Sequence, residues 1–233
     1  MSARGKLIVA LDVPDVESGR ALLDRLAGHV GLFKVGLQLF TAAGPGFVRE
    51  IVDRGESVFL DLKFHDIPNT VAGAVGSAAG LGVSLIDVHG LGGRAMVEAA
   101  AGAVSPGTRL LAITVLTSHK EGSLGEIGVP GPVSESVRRL ALLAKEAGAD
   151  GVVASPHEVA LIRKACGPDF LIVTPGIRPA GSAAGDQARA ATPATALSAG
   201  ADYIVVGRPI TKADDPAAAA DAIVKEMESA PSR

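Results

Sequence analysis

The chain contains no tryptophan, one tyrosine and six phenylalanines. So few rings provide no platform for stacking the bases of a single strand. The core must instead be built from Leu, Val, Ile and Ala. A single cysteine, Cys166, excludes an internal disulfide and suits a reducing compartment. It reads as a small apolar filler near a helix end. No apolar run approaches the roughly 18 residues of a membrane span. The first residues, Met1 to Lys6, lack the charged, apolar and cleavage regions of a signal peptide. The expectation is a cytoplasmic protein. Neither sign of charge dominates: 22 Lys and Arg against 25 Asp and Glu give −3, with no basic block. Nucleic acid and membrane are therefore not expected partners.

What is present points to one large core. The chain has 233 residues, 48% of them hydrophobic, a length at which single α/β barrels are common. Eight short apolar runs read as strands: Leu7–Leu11, Leu32–Val35, Ser57–Leu60, Ser84–Val88, Leu110–Val115, Gly151–Ala154, Leu171–Thr174 and Tyr203–Val206. Helical patterns separate them, which implies a parallel sheet with crossover helices. Val16 to Ala27 places Leu22, Leu23 and Leu26 on one face. Ser134 to Ala147 does the same with Val137, Leu140, Leu143 and Ala144. Asp215 and Pro216 open a last helix that runs to Glu228. Gly28, Gly55, Gly80, Gly148 and Gly200 stand where left-handed helix ends belong. Two stretches, 119–132 and 175–193, are rich in Gly and Pro and read as lids or binding loops, or else as disordered segments. No linker divides the chain, so residues 1–233 are expected to form a single domain.

Polar residues gather just past the apolar runs, at the ends that form the active face of a parallel barrel. The densest group is Asp61-Leu62-Lys63-Phe64-His65-Asp66-Ile67-Pro68-Asn69-Thr70. Strand alternation points Asp61 and Lys63 the same way. A carboxylate and an ammonium sharing one face form a candidate proton-transfer pair, or else an ion pair that closes a barrel end. Asp12 and Lys34 come from neighbouring strands. The four together can alternate in sign around a small space, which keeps the lysines charged and makes one of them a proton donor. Gly207-Arg208 after the last strand and Pro175-Gly176-Ile177-Arg178 after the seventh stand where barrel enzymes bind phosphate. Asp61, His65, Asp66, Asp87 and His89 include usable metal ligands. Lysines among them would compete with a cation, and the histidines read as groups that orient neighbours or satisfy backbone. No metal is expected. There is no nucleophile elbow, Walker loop, zinc spacing or dinucleotide fingerprint.

These segments, in this order, resemble orotidine 5′-phosphate decarboxylase of the bacterial-type, short-chain family. The resemblance runs from Val9-Ala10-Leu11-Asp12 through Phe33-Lys34-Val35-Gly36, the Asp61–Thr70 segment, Val115-Leu116-Thr117-Ser118, Thr174 to Pro179 and Gly185-Asp186-Gln187 to Gly207-Arg208-Pro209-Ile210. It departs at Gln38, where Glu is expected. The resemblance implies a (β/α)₈ TIM barrel, no cofactor, and a homodimer with sites at the interface. It implies Lys63 as proton donor to C6 of orotidine 5′-monophosphate, with uridine 5′-monophosphate as product. Asp61 would face the substrate carboxylate, and Lys34 and Asp12 would be ribose and charge-network partners. Asp66, Ile67 and Thr70 would reach the neighbouring subunit's site. Thr117 would lie near the pyrimidine, and Arg178, Gln187, Gly207 and Arg208 would hold phosphate. Magnesium-dependent sugar-phosphate decarboxylases and aldolases share the barrel and the Asp61, Lys63, Asp66 spacing. The His65–Thr70 run and the Gln187 loop favour the pyrimidine enzyme.

Overall fold

Each apolar run becomes a strand buried on both faces, because one face fills a barrel and the other packs under helices. The computed structural model describes residues 1–119, 122–179 and 191–229. Strands β1 (Leu7–Ala10), β2 (Leu32–Gly36), β3 (Val58–Phe64), β4 (Leu85–His89), β5 (Arg109–Ile113), β6 (Gly151–Val153), β7 (Leu171–Thr174) and β8 (Tyr203–Val206) pair in parallel in chain order. β8 closes on β1, giving a complete barrel. The helices are α1 (Val16–Leu26), α2 (Leu37–Asp53), α3 (Pro68–Ala79), α4 (Arg94–Ala101), α5 (Val133–Glu146), α6 (Val159–Cys166), α7 (Pro193–Ala199), α8 (Arg208–Thr211) and α9 (Pro216–Glu228).

The side-chain parity of the strands sorts the core into two parts. Ile8, Leu32, Phe59, Leu85, Leu111, Val173 and Tyr203 point inward and fill the barrel. Their neighbours Val9, Phe33, Leu60, Ile86, Leu110, Ile172 and Ile204 point outward into the layer beneath the helices. Parity also fixes what lies above the filling. Two residues beyond Leu32, Phe59 and Leu85 come Lys34, Asp61 and Asp87, all buried. The polar layer is thus the upward continuation of the rows that fill the barrel.

Several expectations are corrected. β3 does not stop at Leu60 but runs to Phe64. Its register against β4 shifts: Leu60 pairs with Ile86, and pairing resumes at Phe64 with Val88. β5 is Arg109–Ile113, not Leu110–Val115, and β1, β2, β4 and β6 differ from expectation by a residue. Gly28, Gly55, Gly148 and Gly200 do take positive φ. Gly80 does not, with φ −62°; the turn continues to Gly82, φ +81°, whose N–H bonds to Ala79. α5 buries Val133 and Ala141 with Val137 and Ala144, while Leu140 and Leu143 are only partly covered. The stretch 119–132 contains a 3₁₀ turn at Ser123–Ile127. In 175–193, Ile177 bridges to Ala191, and Thr192 caps α7 through a reciprocal pair of bonds with Thr195. Cys166 is buried at the last position of α6, and burial pushes its thiol up.

Candidate active site

A cavity of about 420 Å³ opens at the C-terminal mouth of the barrel. On one side it is lined by Asp12, Lys34, Asp61 and Lys63; on the other by Pro175, Gly176, Arg178, Gly207 and Arg208. Thr117 lines it between them. Each charged group arrives by a simple route. Lys34 and Asp61 are the inward residues near the tops of β2 and β3. Asp12 follows β1 by two residues. Gly36 keeps the approach open, since a Cβ there would lie 3.1 Å from Lys34 Nζ and 3.4 Å from Asp12 Oδ1.

The charges form one alternating row. Lys34 Nζ donates to Asp12 Oδ1 at 3.0 Å and contacts Asp61 Oδ2 at 3.0 Å. Lys63 Nζ donates to Asp61 Oδ1. The middle pair is withdrawn from water, with side chains 10% and 11% exposed for Lys34 and Asp61. The ends are open, at 60% for Asp12 and 30% for Lys63. Burial alone would push the Asp61 carboxyl up, but Lys34, a hydrogen bond with Asp87 and Lys63 together hold it well below the usual carboxylate range. Burial likewise works against the Lys34 ammonium, yet Asp61 and Asp12 raise it above its ordinary value. Both central groups are therefore held in their charged forms.

Lys63 reaches this row by an unusual backbone. Its φ is +51°, the only positive value at a non-glycine position among the described residues. Strand alternation alone does not deliver its side chain; a register shift with a left-handed residue does. The turned N–H donates to Asp87 Oδ1 at 2.7 Å. Asp87 is wholly buried, and its carboxyl is pushed well above the usual range by burial and then by the Asp61 charge. From sequence Asp87 stands only among the usable metal ligands, whereas its parity with Leu85 places it beside the charge row.

On the opposite wall, Gly176 has φ +77°, which lets the chain turn sharply after β7. Arg178 N–H then bonds to Ala191 O at 2.9 Å. The Arg178 guanidinium is pushed below its ordinary value by burial and by the like charge of Arg208. Two guanidiniums converging on one wall make a place for a multiply charged anion.

The orotidine 5′-phosphate decarboxylase / HUMPS family model matches residues 5–223. The chain belongs to this family. It is 57% identical to the orotidine 5′-phosphate decarboxylase of Moorella thermoacetica, over 98% of this chain and 94% of that one. It is 56% identical to the enzyme so named from Syntrophotalea carbinolica, over 99% and 98% of the two chains. A crystal structure of orotidine 5′-phosphate decarboxylase from Lactobacillus acidophilus superposes with a TM-score of 0.85 at 42% identity, covering 96% of this chain and 99% of that one.

In this member of the family, not every expected residue joins the row. Asp66, Ile67 and Thr70 lie on the exterior, with Ile67 66% exposed, and none lines the chain's own cavity. Asp66 Oδ1 accepts the N–H of Ile67 at 2.6 Å. His65 and His89 stack on each other, with centroids 5.4 Å apart. His89 Nδ1 also accepts the Leu91 N–H at 3.3 Å, so His89 satisfies a backbone group. Ser118 is exposed and lies outside the cavity lining. Gln187 lies outside the described residues. Among the described residues no helix is long and apolar enough to cross a membrane.

Proposed function

We propose that this protein converts orotidine 5′-monophosphate to uridine 5′-monophosphate and CO₂, the last step of de novo uridine monophosphate synthesis, without a cofactor. The alternating row Asp12, Lys34, Asp61, Lys63, facing an arginine-lined wall across one cavity, carries this reading. The phosphate sits against Arg178, Arg208 and Gly207. The ribose hydroxyls meet Asp12 and Lys34, and the pyrimidine lies toward Thr117 with C6 at Lys63.

The C6–carboxylate bond breaks and its electron pair stays on C6, where no neighbouring carbonyl can delocalise it. An ammonium fixed at that point stabilises the developing charge. Lys63 then gives its proton to C6 and regains one from solvent. Asp61 holds Lys63 in place and faces the departing carboxylate. Because the row is set before substrate arrives, no reorganisation is needed at the moment of reaction. Binding energy from the phosphate, remote from C6, can then act on the chemical step.

The working unit in this reading is a homodimer in the cytoplasm. Asp66, Ile67 and Thr70 project from the mouth of one protomer toward the site of its partner. Exposed Leu37, Ile67, Leu91 and Leu116 follow β2 to β5 around one side of that mouth, and supply apolar surface for such a contact.

The test is the loss of orotate absorbance when chelator-treated protein meets orotidine 5′-monophosphate. Rapid formation of uridine 5′-monophosphate is expected. Conversion that needs added magnesium would favour a metal-dependent barrel enzyme, and no conversion by a verified dimer would overturn the proposal.

A further inference from the structure

Among the described residues, Asp87 is the one buried acid of the barrel interior that the proposed reaction leaves without a role. Its surroundings are well defined. Oδ1 accepts the Lys63 N–H at 2.7 Å, at the left-handed residue that brings the ammonium into the row. Oδ2 is buried and receives no donor. On the β3 side, Asp61 lies within side-chain hydrogen-bonding reach, and Asp61 and Lys63 are the charged groups that act on Asp87. On the β5 side its register partner is the apolar Leu111. Two residues along its own strand, His89 faces the His65 ring.

Two ionised carboxylates at hydrogen-bonding distance have no proton between them, so one must carry it. Asp61 is bonded to both Lys34 and Lys63. Asp87 has a neutral N–H on one oxygen and nothing on the other. The proton therefore belongs on Asp87 Oδ2, where it satisfies the buried oxygen and donates to Asp61.

We propose that Asp87 is a positioning residue that works as an uncharged carboxylic acid, accepting the Lys63 N–H to hold the bulge and donating its own proton to Asp61. The row then balances two ammoniums against two carboxylates. A third carboxylate would add repulsion toward an anionic substrate and loosen Lys63 from its place.

Asparagine can make both bonds and carries no charge, so Asp87→Asn and Asp87→Ala separate the two ideas. Asp87→Ala is expected to lower kcat about 100-fold, the scale of an ångström-sized misplacement of a reacting group, with little change in KM. Asp87→Asn is expected to restore kcat to within about fivefold of the parent. Two further measurements need no turnover. The infrared difference spectrum between parent and Asp87→Asn should show loss of a protonated-carboxyl stretch. The melting temperature of Asp87→Asn relative to the parent should climb with pH. A carboxyl held above its unfolded value takes up a proton on folding, so the parent loses stability as pH rises while the amide does not.

No carboxyl band at neutral pH, a melting difference flat in pH, or an Asp87→Asn enzyme as slow as Asp87→Ala would each overturn the proposal. Only the kcat comparison rests on the proposed function. Should the parent not act on orotidine 5′-monophosphate, the spectrum and the melting series still decide whether Asp87 is neutral. They also decide it if Asp87→Ala fails to fold.

Discussion

Replacing Lys34 by methionine tests the charge row most directly. Methionine keeps the apolar stem and removes the ammonium, so Asp61 is left buried with Lys63 alone. Breaking a buried pair from one side costs about 3–5 kcal/mol. Lys63 still bonds Asp61, and Asp12 is already open to water, so the lower end, about 3 kcal/mol, is expected. For a domain of this size that is a drop of roughly 6–12 °C in melting temperature. The gap should depend on pH. Asp61 is depressed, so its contribution is fully present above the unfolded carboxylate range near about pH 4 and is lost as pH falls through its folded value. Lys34 is raised, so its contribution is fully present below the unfolded lysine value near about 10.4 and is lost as pH rises through its folded value. Melting curves of parent and variant from about pH 3 to about pH 9 should show the widest gap near neutrality, closing toward acid. A neutral-pH drop smaller than about 2 °C, or a gap unchanged at low pH, would refute the claim that Lys34 and Asp61 support each other.

Other perturbations read other parts of the site. Lys63→Ala should abolish nearly all turnover while still binding nucleotide by calorimetry; normal turnover would remove the proton-donor role. Lys63→Gly should be equally inactive but more stable than Lys63→Ala. Relief of positive φ contributes about 1–2 kcal/mol, and the freer unfolded chain takes back about 0.4–1 kcal/mol. An alanine variant as stable as the glycine one would mean that the bulge relaxes. Arg178→Ala should raise KM for orotidine 5′-monophosphate at least about tenfold and leave that for the unphosphorylated nucleoside unchanged, since only the former presents phosphate to the guanidinium. Equal effects on both would point away from phosphate. Inactive Asp66→Ala and Lys63→Ala proteins should regain activity when mixed. No recovery despite subunit exchange shown by mass spectrometry would argue for sites built within one chain.

Most of the barrel was legible because its strands are short apolar runs bounded by turns, and tertiary contacts only sharpen such signals. Lys34 and Asp61 were legible for the same reason, being charges where a buried strand should carry none. The route of Lys63 was not. Simple alternation explained its direction, whereas the structure uses a register shift stabilised by Asp87, a residue on the next strand whose partnership no local pattern encodes. The turn at Gly82 was misplaced onto Gly80, because both residues follow the same helical pattern and only the chain's hydrogen bonds choose between them. Arg178 and Arg208 were found through their strand ends. Their nearness, which helps push the Arg178 guanidinium below its ordinary value, is a property of distance and cannot be read along the chain.

The shared rows of barrel filling and site charge constrain how such a protein can change length. Lys34, Asp61 and Asp87 stand two residues above Leu32, Phe59 and Leu85 on the same inward parity. Inserting or deleting one residue below them would swing a charge out beneath the helices and a large apolar side chain into the mouth, in a single step. Length variation is therefore confined to the loops, while β2, β3 and β4 admit substitution but not slippage.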